Sequence, residues 1–129
     1  QLKSGETVLN GEGNEVTLRD VATEDRPGKT VAFAGDTYLC KGLYACFKNA
    51  DTAIVESTFL ERDRARAEER THLTASMAGN VCERSGVNMI LLYHFSASYI
   101  NLNEFRNECS EKYSGLIHLA EDMKEIEIE

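Results

Sequence analysis

Four side chains that could bind a metal or transfer a proton stand at the ends of apolar segments. Asp36, Glu56 and His94 closely follow short apolar runs, and His72 precedes a helical pattern between two of those runs. Carboxylates and imidazoles are ligands of divalent metals and also common general acids and bases. In layered α/β proteins, ligands collect beyond the carboxyl ends of the strands. We therefore expect the four side chains to meet at one edge of a sheet.

Each of the four residues, taken alone, also has an ordinary structural explanation. Asp36 could be the N-cap of the next helix, and Glu56 could be a solvated or salt-bridged residue at a strand end. His72 could cap or pack at a helix start, and His94 could be a hydrogen-bonded core histidine. All four in one ordered set are less readily explained by structure alone, which favours a functional site.

The apolar periodicity predicts the elements that must position these residues. Strands are expected at 30–34, 52–55 and 89–93, with a final strand pair at 116–120 and 123–128. Amphipathic helices are expected between them, over about 39–51, 74–86 and 102–115, the second with Thr74 as its N-cap and Gly86 at its end. Residues 1–28 are predicted to be a loop or hairpin, with 16–21 as the only strand candidate.

The predicted order over 29–129 alternates strands and helices, which indicates an α/β fold. The strands are too apolar to face water on either side, so the sheet needs helices or a second sheet on both faces. The mixed charges of 61–70 predict a solvated, self-paired helix, although its four arginines could also guide a phosphate backbone. His118 has no motif around it and is predicted to be structural or at the surface.

The composition bounds the class of protein. The chain has 129 residues, 42% hydrophobic and 28% charged, which suits one globular domain. It contains no apolar stretch of roughly 20 residues and no secretory pattern near residue 1. We therefore expect a cytoplasmic location and no membrane partner. Four irregularly spaced cysteines are predicted to be reduced, buried thiols. A net charge of −8 argues against a general nucleic-acid-binding surface, although bound metals could reverse the local potential.

Four ordered segments carry a resemblance to a known family: VAFAGDT at 31–37, IVESTF at 54–59, HLTA at 72–75 and HFS at 94–96. Together they resemble the second half of ribonuclease Z and its close relatives in the metallo-β-lactamase superfamily, over about 2–128. The resemblance implies the C-terminal half of an αββα sandwich, with a mixed sheet and flanking helices. It implies that 1–28 are a lead-in, that 29–129 are the core and that the N-terminal half is absent.

The resemblance also implies a role for each residue of the site. Asp36 matches an aspartate that bridges two metals, normally zinc with manganese as the alternative, and His94 matches a ligand of one of them. Glu56 and His72 match a catalytic pair near the scissile phosphate, in which Glu56 orients His72 as a proton donor. Ser96 is a weaker candidate for a contact with the substrate phosphate. A carboxylate can span two metals, and such metals acidify a shared water.

Three features depart from the family pattern. The H-x-H-x-D-H metal-binding run has no counterpart, since no histidine precedes His72, so the metal site is expected to be incomplete or unoccupied in this chain. The histidine-serine-threonine triplet is histidine-leucine-threonine here. Ser98 stands where the family usually has an arginine suited to phosphate. The chain is therefore expected to be a fragment or one half of a longer protein, inactive alone.

Three functions remain open from the sequence. The first is part of a metal-dependent endoribonuclease that trims precursor tRNA at its 3′ side. The second is a phosphodiesterase or ester hydrolase of the same fold that acts on a small molecule. The third is a non-catalytic dimerisation domain. A half-sheet would expose apolar surface, so a homo-oligomer or a companion half is expected as partner.

Overall fold

A computed structural model describes residues 2–23 and 27–128. Its strands are β1 (Val8–Leu9), β2 (Glu15–Val16), β3 (Val31–Ala34), β4 (Thr52–Glu56), β5 (Met89–Tyr93) and β6 (Leu116–Leu119). Its α-helices are α1 (Leu18–Val21), α2 (Lys41–Phe47), α3 (Arg64–Arg70), α4 (Ala75–Ser85) and α5 (Asn103–Ser110). Short 3₁₀ turns cover Leu2–Ser4 and Glu61–Asp63. No helix in these two described ranges has the length and apolar character needed to cross a bilayer.

The central sheet has the order β3-β4-β5-β6 and is parallel throughout. Each pair of neighbouring strands is joined by a helical crossover, which makes the two strands run the same way. Because such crossovers are right-handed and the strand order never reverses, α2, α4 and α5 lie on one face. The α/β fold and the alternation of strands and helices from β3 to β6 are confirmed, with α3 as an additional helix between β4 and β5. The expected mixed sheet is corrected to a parallel one, since the only antiparallel ladder described, β1 with β2, forms a separate hairpin.

The hydrophobic core lies between the helices and one face of this sheet. Alternate strand residues such as Val55, Ile90 and Leu92 are buried in one cluster with α2, α4 and α5. The opposite face carries Phe33 and Leu116, which are 61% and 54% exposed. Apolar residues therefore point to both faces, as predicted, and the described residues cover the second face only at the end where Thr52 and Met89 are buried. We call the uncovered side, formed by Val31, Phe33, Ile54, Leu91, Leu116 and His118, the open face.

The ends of α4 agree with the sequence prediction. The Thr74 hydroxyl accepts a hydrogen bond from the backbone amide of Met77 at 3.1 Å, so Thr74 is the N-cap. Gly86 ends the helix in the left-handed conformation, with φ of 69°. The Thr74 cap fixes where the helix begins, and His72 lies just upstream of Thr74.

Two strand predictions are wrong. In 16–21 only residue 16 extends a strand, because the Asp20 carboxylate accepts a hydrogen bond from the backbone amide of Thr17 at 2.8 Å and this cap starts the short helix α1. The 123–128 segment forms no strand, because the chain turns away after β6 and Met123 adopts a φ of 62°. The predicted hairpin in 1–28 is present as β1 and β2.

The cysteine prediction holds in part. All four cysteines are free, and Cys82 and Cys109 are buried between α4 and α5, where burial raises the pKa of the Cys109 thiol to about 12. Cys40 and Cys46 are exposed, contrary to the expectation of buried thiols. Cys40 is the N-cap of the short helix α2 and Cys46 lies within its last turn, and the helix ends sooner than the apolar spacing suggested.

Candidate active site

Asp36, Glu56, His72 and His94 meet at the carboxyl end of the parallel sheet. Glu56 is the last residue of β4, His94 follows β5 directly, and Asp36 lies two residues beyond β3. An isolated parallel bridge between Phe59 and Thr74 brings the loop that carries His72 to the same edge. One ligand atom from each of Asp36, His72 and His94 lies within 4.8 Å of the others. The convergence expected from the sequence is therefore observed.

Glu56 is the centre of this cluster and is fully buried. Its Oε1 accepts hydrogen bonds from the backbone amides of Thr37, at 3.2 Å, and Leu73, at 3.1 Å. The same oxygen lies 2.9 Å from His72 Nδ1. Two separate segments, one at Thr37 and one at His72 and Leu73, are thus fastened to one carboxylate oxygen, so Glu56 is not the solvated strand-end residue that the sequence left open.

The second oxygen of Glu56 is held by Thr58. Oε2 accepts from the Thr58 backbone amide at 3.0 Å and from the Thr58 hydroxyl at 2.9 Å. A buried carboxylate is costly unless its lone pairs are satisfied, and here five contacts satisfy them. Thr58 also lies 2.8 Å from His94 Nδ1. Thr58 was not among the residues predicted from the sequence, where its one signal is its place two residues after Glu56.

His94 adopts a left-handed backbone conformation, with φ of 60°. This conformation is uncommon outside glycine and clusters at functional sites. It is held by hydrogen bonds on either side, from Ser57 to the Tyr93 carbonyl at 2.9 Å and from Ser96 to the Thr58 carbonyl at 3.1 Å. The bend leaves the His94 side chain 43% exposed, with Nδ1 3.5 Å from Asp36 Oδ1. His94 is therefore not a core histidine.

The electrostatics of the site suit a cation. Asp36 is exposed beside His94 and does not cap a helix, since α2 has Cys40 at its N-cap. Burial, and then the negative charges of Asp36 and Glu56, raise the pKa of the Tyr93 hydroxyl above its ordinary value. A negative potential of this kind favours a bound cation over an anion.

The donor set fits part of a divalent-metal site. Asp36 offers carboxylate oxygens and His94 an imidazole nitrogen, both common ligands of zinc. His72 is the third group within reach, but its Nδ1 already contacts Glu56. Zinc sites usually hold three or four protein ligands for each metal. The described residues therefore match a metal centre that needs further ligands.

Ser96 and the arginine-rich helix are less directly placed for chemistry. The Ser96 hydroxyl lies 2.9 Å from the Ser98 hydroxyl, and nothing in the described geometry directs it toward Asp36. Arg64 pairs with Glu61 and Glu68 on its own segment. Arg62, by contrast, pairs with Glu104 of α5, and the α-helix begins only at Arg64, so the solvated, self-paired helix predicted over 61–70 is observed in part. His118 is half-buried on the open face.

Sequence comparison finds relatives named ribonuclease Z over nearly the whole chain. The protein from Salinispora arenicola is 40% identical over 127 residues, which are 98% of this chain and 40% of that protein. The protein from Nocardia farcinica is 39% identical over 115 residues, with 89% and 37% covered. The protein from Nitrosopumilus maritimus is 37% identical over 123 residues, with 90% and 41% covered. The chain therefore spans about two fifths of the length of these relatives. No family model matches the chain.

Structure comparison finds proteins of the metallo-β-lactamase fold. YhfI from Bacillus subtilis superposes with a TM-score of 0.66 at 23% identity, over 71% of this chain and 37% of that one. The short form of human tRNase Z gives 0.61 at 24% identity, over 79% and 34%. At these identities the likeness shows the fold. The four-stranded sheet with helices on one side is thus part of a metallo-β-lactamase fold, as the resemblance implied.

Proposed function

Because the chain is similar in sequence to ribonuclease Z and in fold to metallo-β-lactamase proteins, we propose that it supplies part of the active site of a metal-dependent endoribonuclease. On this proposal the substrate is precursor tRNA, cleaved at its 3′ side. The observation that supports it most directly is the meeting of Asp36 and His94 beside the buried Glu56–His72 pair. The remaining ligands come from the other part of the polypeptide, with 29–129 as the core of its C-terminal half and 1–28 as the lead-in.

Asp36 and His94 are the residues that would hold metal. The two carboxylate oxygens of Asp36 allow it to bridge a pair of ions, and the exposed ring of His94 is beside it. When bound, a pair of divalent ions lowers the pKa of a shared water and so supplies an attacking hydroxide. We propose zinc as the metal, with manganese as the alternative.

His72 and Glu56 are proposed to handle the proton. Glu56 accepts from His72 Nδ1, which fixes the ring and leaves Nε2 free to face a substrate. A histidine held by a carboxylate in this way is a better-defined proton donor. We propose that His72 Nε2 protonates the leaving-group oxygen and that Ser96 contributes, at most, a weaker phosphate contact. The enzyme is proposed to act in the cytoplasm as a homo-oligomer.

A second function has specific support. Ser98 stands where a phosphate-binding arginine is expected, and the net charge of −8 opposes a polyanionic substrate. Both observations favour a small phosphodiester over RNA. The alternative is therefore a small-molecule phosphodiesterase that uses the same four residues.

The test uses the longest polypeptide that carries this sequence, loaded with zinc or manganese. Precursor tRNA and an aryl phosphodiester are assayed with wild type, Asp36→Asn, His72→Ala and, as an exposed carboxylate-to-amide control, Glu69→Gln. We expect tRNA cleavage, a fall in kcat of about 10²–10⁴-fold for His72→Ala with metal retained, and loss of metal for Asp36→Asn. Turnover of the aryl ester alone would favour the second function. Unchanged metal content and rate in both variants would contradict both functions.

A further inference from the structure

We propose that Thr58 is a positioning residue that sets the tautomer of His94, so that His94 presents the lone pair of Nε2 to a cation. This inference rests on the proposed function only in naming the cation as a catalytic metal. Its physical basis is a count of protons along the contacts that join Glu56, Thr58 and His94.

Glu56 is the first group along these contacts. Its two oxygens receive hydrogen bonds from three backbone amides, those of Thr37, Thr58 and Leu73, and these groups can only donate. A carboxyl proton would have to point at one of these donors or at the remaining contacts, from His72 and from the Thr58 hydroxyl. The ionised carboxylate is the form that accepts at all five contacts, and the geometry favours it for that reason.

The Thr58 hydroxyl carries one proton. The hydroxyl oxygen lies 2.9 Å from Glu56 Oε2, which can only accept a hydrogen bond. The hydroxyl proton therefore points at Glu56. What remains on Thr58 Oγ1 is lone-pair density, and His94 Nδ1 lies 2.8 Å from it. His94 must therefore carry its proton on Nδ1 to form this hydrogen bond.

A second contact agrees with this assignment. Asp36 Oδ1 lies 3.5 Å from the same Nδ1, and a carboxylate is also an acceptor. Both groups facing Nδ1 thus favour a proton there. In a neutral imidazole the other nitrogen, Nε2, is then unprotonated and available as a ligand.

The position of Thr58 is itself fixed. Its side chain is nearly buried, its backbone amide is bound to Glu56, and its carbonyl accepts from the amide of Ser96. The hydroxyl is consequently held between the end of β4 and the bend after β5. A continuous set of hydrogen bonds joins His72 to His94 through Glu56 and Thr58. The proton donor and the metal ligand are thereby oriented by one network.

The test is the tautomer of His94, read by ¹⁵N NMR in the longest polypeptide that carries this sequence, without metal. Spectra are taken at a pH of about 8.5, two units above an ordinary histidine pKa of about 6.5. The three histidine signals are assigned by substituting each histidine in turn. We expect wild type and Thr58→Ser to hold the Nδ1–H tautomer, and Thr58→Val to shift the population toward Nε2–H.

The matched control is Thr52→Val. Thr52 is also buried on β4, and its hydroxyl has no hydrogen-bond partner among residues 2–23 and 27–128. A shift caused by general loosening of the strand would appear in both valine variants, whereas a shift caused by the lost hydroxyl appears only at Thr58. Wild type with Nε2–H on His94, or equal tautomers in wild type and Thr58→Val, would overturn the inference. If Thr58→Val does not fold, the wild-type and Thr58→Ser spectra still decide it.

Zinc affinity is the second readout, measured by titration against a chelator. Loss of an outer-shell partner typically costs 10–100-fold in metal affinity, so Thr58→Val should weaken zinc binding by that factor while Thr58→Ser and Thr52→Val bind nearly as wild type. A tautomer that depends on Thr58 in a protein that cleaves no phosphodiester would sustain this inference and contradict the proposed function. Cleavage with a Thr58-independent tautomer would do the reverse.

Discussion

Single residues of the site differ sharply in how much surrounding structure depends on them. Asp36 is exposed and contacts little besides His94, whereas Glu56 is buried and joins the segments that carry Thr37, Thr58 and Leu73. Substitution of Asp36 should therefore affect chemistry with little effect on folding. Substitution of Glu56 should affect both.

Glu56→Gln is expected to destabilise the fold. In either orientation of the glutamine amide, its NH₂ group faces a backbone N–H group that now donates a hydrogen bond to Glu56. Two donors then face each other, and buried donors are left unpaired. The expected loss is about 1–3 kcal/mol in the free energy of unfolding, measured by urea denaturation. The exposed control Glu68→Gln should stay within about 0.5 kcal/mol of wild type. Equal, small effects of the two substitutions would contradict the central role given to Glu56.

The sequence was sufficient to predict which four side chains converge, but not how they are connected. Asp36, Glu56 and His94 each follow an apolar run, so strand ends could be located from periodicity alone. Thr58 could not be found this way, because its part depends on the direction of one hydroxyl group. The left-handed bend at His94 was equally hidden, since nothing in local composition marks it.

Helices α4 and α5 pack closely against each other at Gly79. A Cβ on Gly79 would lie 2.7 Å from the Cys109 carbonyl oxygen, a backbone atom that cannot easily move. Gly79→Ala should therefore destabilise the protein by about 1–3 kcal/mol, through overpacking. Urea denaturation measures the loss.

The matched control for this prediction is Gly42→Ala in α2. There a Cβ would meet only the Cys40 sulfur at an ordinary 3.7 Å, so the added helix propensity should raise stability by about 0.5–1 kcal/mol. Opposite signs for the two alanine variants are expected. Stabilisation by Gly79→Ala would show that the two helices are packed less closely than described.

Elements with strong periodicity were predictable, and weak ones were not. β5 was located to the residue and α4 to within one residue, because apolar spacing and caps agree there. Strands were predicted at 16–21, where α1 lies, and in the tail after β6, where residues alternate. A cap at Thr17 and a turn at Met123 overrode that alternation, and these are local backbone features that periodicity does not record.

The uneven covering of the sheet has a measurable consequence. The helices cover one face, while Val31, Phe33 and Leu116 leave apolar surface on the open face. A polypeptide of residues 1–129 alone should bury this surface against a second copy of itself.

Sedimentation velocity over a range of concentrations tests this association. We expect a concentration-dependent dimer of residues 1–129, and a shift toward monomer for Phe33→Glu, because a charge in the contact is costly to bury. The exposed Leu9→Glu variant on the separate hairpin serves as the control and should associate like wild type. A monomer at every concentration would mean that the open face is not an association surface.

Binding of one metal centre by both Asp36 and His94 is the proposal on which the others rest. Its most direct test is anomalous diffraction at the zinc edge from crystals of the longest polypeptide that carries this sequence, grown with zinc. We predict an anomalous peak at about 2.0–2.2 Å from an Asp36 oxygen and about 2.0–2.1 Å from a His94 nitrogen. Zinc bound elsewhere, with Asp36 and His94 both free of it, would contradict the claim.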